Sequence, residues 1–403
     1  MTTTPARPGA PNPRLGRVTL LLDLVLYALS GVFAQVTAMT SNLGPHRTWG
    51  SIAVWGYAGA ALFVYVFRQR LWLTVTAWLA VAVVPLIALA RLREYQEEVF
   101  VVEESARRLL ETGTPYLDRA GIAALPEPLL GYTPYQPAMA IFGLPKAIFG
   151  DYVLTDARVW FAIATAATLA GAYLLLQPHD RLVRALQMSS VLPLCALTLA
   201  TGGDDMPVLG LCVLAFALAA RQKPGWAGVA IGAAAAMKLF AWPVAIVLGF
   251  YLLHRKYFLG AIGIPVLALL PSVLINAGAV VENVIRFPTG HGLVTSPAAS
   301  PLIGYLLARH VPSGRTIALG LLLLSGAAIG VYLLRKRPTD VRQVAYICAV
   351  GLLAAILLMP ATRFGYFLYP VAFAFWAPCL MSRGAAEDAI GGQGDGHAEV
   401  LGR

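Results

Sequence analysis

The run LWLTVTAWLAVAVVPLIALA at residues 71–90 passes directly into RLREYQEEVFVVEESARRLL at residues 91–110. The first stretch is apolar from end to end, and its length matches the ~20 residues that a helix needs to cross a hydrocarbon core of about 30 Å. The second holds Glu94, Glu97, Glu98, Glu103 and Glu104 within a few turns, with Glu111 just beyond. A chain that otherwise offers one membrane helix after another here concentrates acid at a membrane edge.

Composition agrees with that junction. Over 403 residues the chain is 58% hydrophobic and only 12% charged, too little polar surface to cover a water-facing globule, so it reads as an all-α polytopic membrane protein. The 20-residue ruler gives apolar spans near 18–38, 50–67, 71–91, 156–177, 186–201, 205–220, 225–237, 238–253, 257–276, 316–335, 343–360 and 363–382. That is about twelve crossings, two of them short for the membrane. Cys195, Cys212, Cys348 and Cys379 all lie inside apolar runs without CxxC spacing, which points to neither a disulfide nor a zinc site. No internal repeat is visible.

Charge sets the orientation. If the amino end is inside, the inner segments carry a large basic excess, including Arg14, Arg17, Arg68, Arg70, Arg181, Arg184, Lys223, Arg255, Lys256 and Arg335 to Arg337, while the outer segments balance. The formal net charge of +10 is then a topology signal, with both termini cytoplasmic, and calls for no nucleic acid. The preference for Arg over Lys and the wealth of Ala and Gly suit a GC-rich bacterial genome, hence a bacterial plasma membrane.

The expected organisation follows: a cytoplasmic, uncleaved tail at 1–17, a three-helix membrane segment at 18–91, and an outer loop at 92–155 with juxtamembrane helices and a candidate catalytic acid. Next come membrane helices at 156–276 that include a short hairpin, a second outer loop at 277–315, closing membrane helices at 316–382, and a disordered cytoplasmic tail at 383–403. Pro137–Gly150 is apolar but too short to cross, and reads as a helix lying in the outer interface.

Several residues could carry chemistry. On a helical period Glu97 and Glu104 share a solvated face with Arg107 or Arg108 beside them, whereas Glu98 sits closer to the span on the stripe of Val101 and Val102. Asp204 and Asp205 follow Thr201-Gly202-Gly203, where helix capping and a wet cavity are both open readings. Lys238 divides residues 225–253, a stretch flanked by inside charges at each end, so a hairpin of two half-length helices is expected. Each arm would reach only about 20 Å, leaving the ammonium below the outer surface. There it either snorkels or meets a partner or an anionic ligand. Arg363 and Tyr366, in MPATRFGYFLYP at 359–370, suit a phosphate and a sugar face, or else an interfacial anchor. His291, in RFPTGHG at 286–292, is not a metal site by itself.

Taken in order, these pieces resemble a GT-C glycosyltransferase of family 87, the bacterial polyprenol-phosphate-mannose-dependent mannosyltransferases, over about residues 90–380. The family's acidic residue followed by a small-residue helix and a Gly-x-Pro-Tyr end is matched by Glu98 through Ala106, then Gly113, Pro115 and Tyr116. Its Tyr-x-Pro element is matched at Tyr132-Thr133-Pro134-Tyr135, its Asp-Ala-Arg at Asp156-Ala157-Arg158, its Gly-Gly-x-Asp-x-Pro turn at 202–207, and its hairpin lysine at Lys238. Two features depart from the family pattern. The acidic position holds Glu where the family normally has Asp, and three spans precede it in place of one.

The resemblance implies a GT-C-like fold and a membrane hexosyltransferase. Such an enzyme would move a hexose, most naturally mannose, from a polyprenyl-phosphate sugar to a glycolipid or cell-envelope glycan on the outer face, with inversion. It implies Glu98 as the catalytic base, and Tyr116, Tyr135, Asp156, Arg158, Asp205, Lys238, His291, Arg363 and Tyr366 as the substrate-binding set. No metal or other cofactor is implied, since the lipid-linked sugar is a substrate; the partners are that donor, the acceptor and membrane lipids. Two rival classes stay open: a transporter or flippase of a lipid-linked precursor, which would favour repeated halves, and a non-catalytic protein of envelope assembly.

Overall fold

Helices follow one another along the chain with no named strand among the described residues, 13–67 and 69–380 of a computed structural model, with side chains from Val18. The expected tail at 383–403 and most of that at 1–17 lie outside them. The main helices are α1 (Pro13–Thr40), α2 (Gly44–Phe63), α3 (Arg70–Leu92), α4 (Glu97–Thr112), α5 (Pro137–Phe149), α6 (Ala157–Leu176), α7 (Asp180–Ser190) and α8 (Pro193–Thr201). They continue as α9 (Asp205–Ala220), α10 (Pro224–Ala235), α11 (Ala241–Leu252), α12 (Arg255–Arg286), α13 (Ile303–His310), α14 (Gly314–Arg335), α15 (Val341–Leu358) and α16 (Phe364–Cys379). The order reproduces the apolar spans read from the sequence.

Among the described residues, fewer than twelve helices have the length and composition of a full crossing. Six helices are long and apolar enough to cross, or seven if α7 and α8, bent by 44°, form one broken span. The bend has a local cause: Pro193 opens α8 without an N–H, so the ladder breaks there. Of the other expected spans, α2 runs 20 residues with much of its surface exposed, while the rest are short and sit largely inside the molecule. Thus α9 buries nearly its whole length, from Asp205 to Ala220, and α10 and α11 run only 12 residues each. Lipid-facing length is not required of a helix wrapped by others.

Close approach fixes the hairpin against α12. A Cβ at Gly228 would stand 2.2 Å from the Tyr257 carbonyl oxygen, and one at Gly232 would stand 2.1 Å from that of Gly260. Only glycine lets these backbones meet, the small-residue packing that replaces a hydrophobic driving force between helices in lipid. The outer boundary of α12 differs from the sequence reading. Asn276 leaves helical geometry (φ −156°, ψ 88°), but its side-chain oxygen accepts from the Ala279 N–H at 3.0 Å and restarts the helix, which runs on to Arg286. The segment read as a second outer loop from 277 thus opens with a further helical stretch, 277–286, beyond the break at Asn276.

The N-terminal helices are bound in by polar contacts inside apolar surroundings. Pro85 has no N–H for the Val81 carbonyl, α3 widens to a π turn at Leu79–Val83, and the Trp49 indole of α2 donates to the freed oxygen at 2.8 Å. Asp23 of α1 is buried and pairs with Arg70 of α3 at 2.6 Å and with Arg184 of α7 at 2.7 Å. The first turns of α2 meet the segment that carries the acids, where the Thr48 hydroxyl donates to Glu94 Oε2 at 2.7 Å.

Candidate functional site

Gln96 caps the start of α4, so Glu97 and Glu98 occupy its first turn. The unpaired N–H groups there favour carboxylates. The helix behaves as its charge pattern predicts on the solvated side, where Arg107 pairs with Glu104 and, at 2.5 Å, with Glu111. Arg108 instead turns inward and donates to the Gly131 carbonyl at 3.2 Å. Glu97 is exposed, while the Glu98 side chain is only 15% exposed and forms an ion pair with Arg363. Its other carboxylate oxygen, Oε2, is buried with no hydrogen-bond partner. Burial pushes the Glu98 carboxyl above the ordinary glutamate range, Asp204 adds to that rise, and Arg363 and Lys238 oppose it.

Beside this pair lies a second ionic group. Gly203 adopts φ +86°, a left-handed conformation that suits glycine, and the turn carries Asp204 and Asp205 onto the tip of the α10–α11 hairpin. The Lys238 ammonium donates to Asp204 Oδ2 at 2.7 Å and to Asp205 Oδ1 at 2.6 Å, and all three side chains are buried. Tyr369 donates to Asp205 Oδ1 at 2.8 Å, and Phe240 stacks on Tyr369 with ring centroids 5.3 Å apart. Lys238 Nζ also lies 5.5 Å from the ring centroids of both Tyr135 and Tyr366. Lys238 lies buried at the tip between two short helices, and of the readings left open for it, snorkelling, a partner or an anionic ligand, the chain itself supplies partners in two carboxylates.

The segments around this cluster are tied at the backbone. Gln136 and Ala138 donate to the carbonyls of Met237 and Ala236, both at 3.0 Å, joining the stretch after Tyr135 to the hairpin tip. Thr362 exchanges bonds with Ala298 and Ser300, and the Ser300 hydroxyl accepts from the Phe364 N–H at 3.0 Å, so the second outer loop grips Arg363 from both sides.

The sequence-derived candidates thus divide. Glu98, Tyr135, Asp205, Lys238, Arg363 and Tyr366 come together, although they are spread from 98 to 366 along the chain. Tyr116 is buried and donates to the Tyr135 carbonyl at 2.7 Å. Fully buried Arg158 donates to Asp156 at 2.7 Å, to the Glu94 carbonyl at 2.9 Å and to the Ala200 carbonyl at 3.0 Å. These three reach the cluster only through backbone they hold. His291 is exposed, meets Thr289 at 3.1 Å and stands apart. Asp204, Gln96, Tyr369 and Phe240 belong to the cluster or its supports but are not among the sequence-derived site residues. Gln96 lies in the quoted acidic stretch, and the two aromatic residues follow Lys238 and Tyr366 closely, so proximity to charged residues in an apolar run was the available signal.

Ion pairs buried where apolar helices end, with aromatic rings about Lys238 and one Glu98 oxygen left open, mark a multi-pass membrane protein with a polar cluster inside it. The chain belongs to glycosyltransferase family 87, whose family model matches residues 132–384. That span includes Asp204, Asp205, Lys238, Arg363 and Tyr366; Glu98 precedes it. None of the curated proteins matches the chain. A solved structure, ArnT from Cupriavidus metallidurans in the apo state, is similar with 17% identity and a TM-score of 0.42, over 77% of this chain and 62% of that one. At that distance the likeness defines neither site nor substrate.

Proposed function

We propose that the protein transfers a hexose, with mannose as the first sugar to test, from a polyprenyl-phosphate sugar to a glycolipid or cell-envelope glycan on the outer face of the membrane, inverting the anomeric carbon. The observation that carries this reading is the state of Glu98: one carboxylate oxygen is paired with Arg363, and the other is buried and unpartnered. A buried acceptor left unmade costs about 1–3 kcal/mol, and an acceptor hydroxyl is the group that would satisfy it. A general base needs that hydroxyl at about 2.6–3.2 Å.

The charges then balance through one step. The acceptor oxygen attacks the anomeric carbon, its proton passes to Glu98, and the bond between that carbon and the phosphate oxygen breaks with the electron pair leaving on the polyprenyl phosphate. As Glu98 becomes neutral, Arg363 loses its counter-charge while the leaving phosphate gains charge. The guanidinium is thereby free to stabilise the phosphate at the moment of need. Lys238 does not serve the phosphate in this scheme: held by Asp204 and Asp205, it fixes the hairpin tip under Tyr135 and Tyr366, whose rings offer faces to a sugar.

The test is a single-turnover reaction of the purified protein in nanodiscs with polyprenyl-phosphate mannose, other polyprenyl-phosphate hexoses and a membrane-lipid extract. Products are read by mass spectrometry and the anomeric linkage by NMR. A hexose-bearing lipid with the configuration opposite to the donor's is expected. A product of retained configuration, or donor that binds without transfer in every lipid extract tried, would overturn the reading.

A further inference from the structure

The quoted acidic stretch is reached through the linker Arg93–Gln96, and the contacts of that linker lead out of the family-matched region. Arg93 ends α3 in the left-handed conformation (φ 57°), after which Glu94 and Gln96 are each held more than once. Arg158 donates to the Glu94 carbonyl at 2.9 Å. Thr201 accepts the Gln96 N–H on its carbonyl at 2.9 Å, and its hydroxyl bonds to Gln96 Oε1 at 3.1 Å. The remaining bonds come from the outer end of α2: the Thr48 hydroxyl donates to Glu94 Oε2 at 2.7 Å, and His46 Nε2 meets Gln96 Nε2 at 2.9 Å.

The Gln96 amide is thus held between the His46 ring on one side and, on the other, the Thr201 hydroxyl, which also meets the Leu197 carbonyl at 2.9 Å. Gln96 caps α4 and its carbonyl accepts from the Val99 N–H at 3.1 Å, so the position of this one residue sets the direction in which Glu98 leaves the helix. The tolerance is small. A Cβ at Gly202 would lie 3.1 Å from Gln96 Oε1 and 3.7 Å from Glu98 Oε2, so the residue that His46 grips and the open carboxylate oxygen line the same turn. His46 is also within electrostatic reach of Arg363.

We infer that His46, with Thr48, is a positioning residue for Glu98, and that the N-terminal helix pair α1–α2 completes the transfer site by clasping the linker in front of it. The inference rests on the reading of Glu98 as base. It gives the helices that precede the acidic loop a part in the reaction: without the clasp, Gln96 is held from the α8 side alone and the carboxylate can swing. A misplacement of about 1 Å at a reacting group costs on the order of 100-fold in rate.

The test separates position from chemistry. Glu98 is to be labelled with dicyclohexylcarbodiimide, which modifies buried carboxyl groups, and the extent read by peptide mass spectrometry for the wild-type protein, His46→Leu, His46→Gln and Thr48→Val in nanodiscs. Glutamine keeps a hydrogen-bonding group for the Gln96 amide, and leucine does not. The expected result is severalfold altered labelling in His46→Leu, a smaller change in Thr48→Val, and a return to the wild-type rate in His46→Gln. Turnover of polyprenyl-phosphate mannose should follow the same order, with kcat down about tenfold in His46→Leu and donor KM little changed. Wild-type labelling in His46→Leu, or His46→Gln no better than His46→Leu, would overturn the clasp. Full turnover in Glu98→Gln would instead overturn the base reading, whatever the labelling shows. Because labelling needs no substrate, the two failures are distinguishable, and Thr48→Val carries the test if His46→Leu does not fold.

Discussion

At the scale of single residues, the cluster is a set of carboxylates outnumbering its cations, and each pairing carries a separate consequence. Removing Lys238 leaves Asp204 and Asp205 facing each other in a buried place without their cation. Lys238→Met should therefore destabilise the protein by about 3–5 kcal/mol. Adding Asp204→Asn should recover part of the loss, read as thermal unfolding in detergent, because the coupled groups are not additive. A Lys238→Met protein as stable as the wild type would mean that the ammonium is not held as described. Glu98 titrates in the opposite sense to a surface carboxylate in a salt bridge. Its carboxyl is pushed up by burial, and a base must be ionised to act, so activity should be present above that raised pKa and lost as pH falls through it. The acid limb should lie above ~4.3, the ordinary glutamate value. A limb at or below that value would contradict the burial of the working carboxylate. Residues of this kind were legible in the sequence because charge in an apolar run is rare. Their partners were not, since helical period tells which face a side chain occupies and says nothing of which distant helix will meet it. Hence neither the pairing of Lys238 with Asp204 nor that of His46, in the first turn of α2, with Gln96 is legible in the sequence.

At the scale of elements, most helices were readable from apolar length, and the misreadings have specific causes. The spans that fall short of a membrane thickness, α9 to α11, are wrapped by other helices, a burial that composition cannot distinguish from contact with lipid. The extension of α12 past Asn276 depends on a side-chain cap that restarts a helix in mid-run. The π turn in α3 depends on Pro85 and on a donor from another helix. Trp49→Phe removes that donor and leaves the Val81 carbonyl unpaired in apolar surroundings. A loss of about 1–3 kcal/mol is expected, measured by thermal unfolding, and unchanged stability would show that the π turn satisfies the carbonyl unaided.

At the scale of the whole molecule, the cluster lies where one end each of α2, α4, α8, α11 and α16 converges, the end that the charge bias predicts to be outside the cell. Single cysteines at Tyr152 and His291, both exposed, should react with a membrane-impermeant maleimide on intact cells, while the native cysteines, all buried, stay silent. Labelling of Tyr152→Cys only after permeabilisation would invert the topology and put the cluster on the cytoplasmic side. The measurement that tests the central claim most directly compares kcat for sugar transfer from the lipid-linked donor in Glu98→Gln and Glu97→Gln. The two side chains are neighbours on one helical turn, one aimed at Arg363 and the other at solvent. A fall of about 100-fold or more is expected for Glu98→Gln, with Glu97→Gln near the wild-type rate. Equal losses in both, or a Glu98→Gln enzyme that turns over like the wild type, would contradict the assignment of Glu98 as the base.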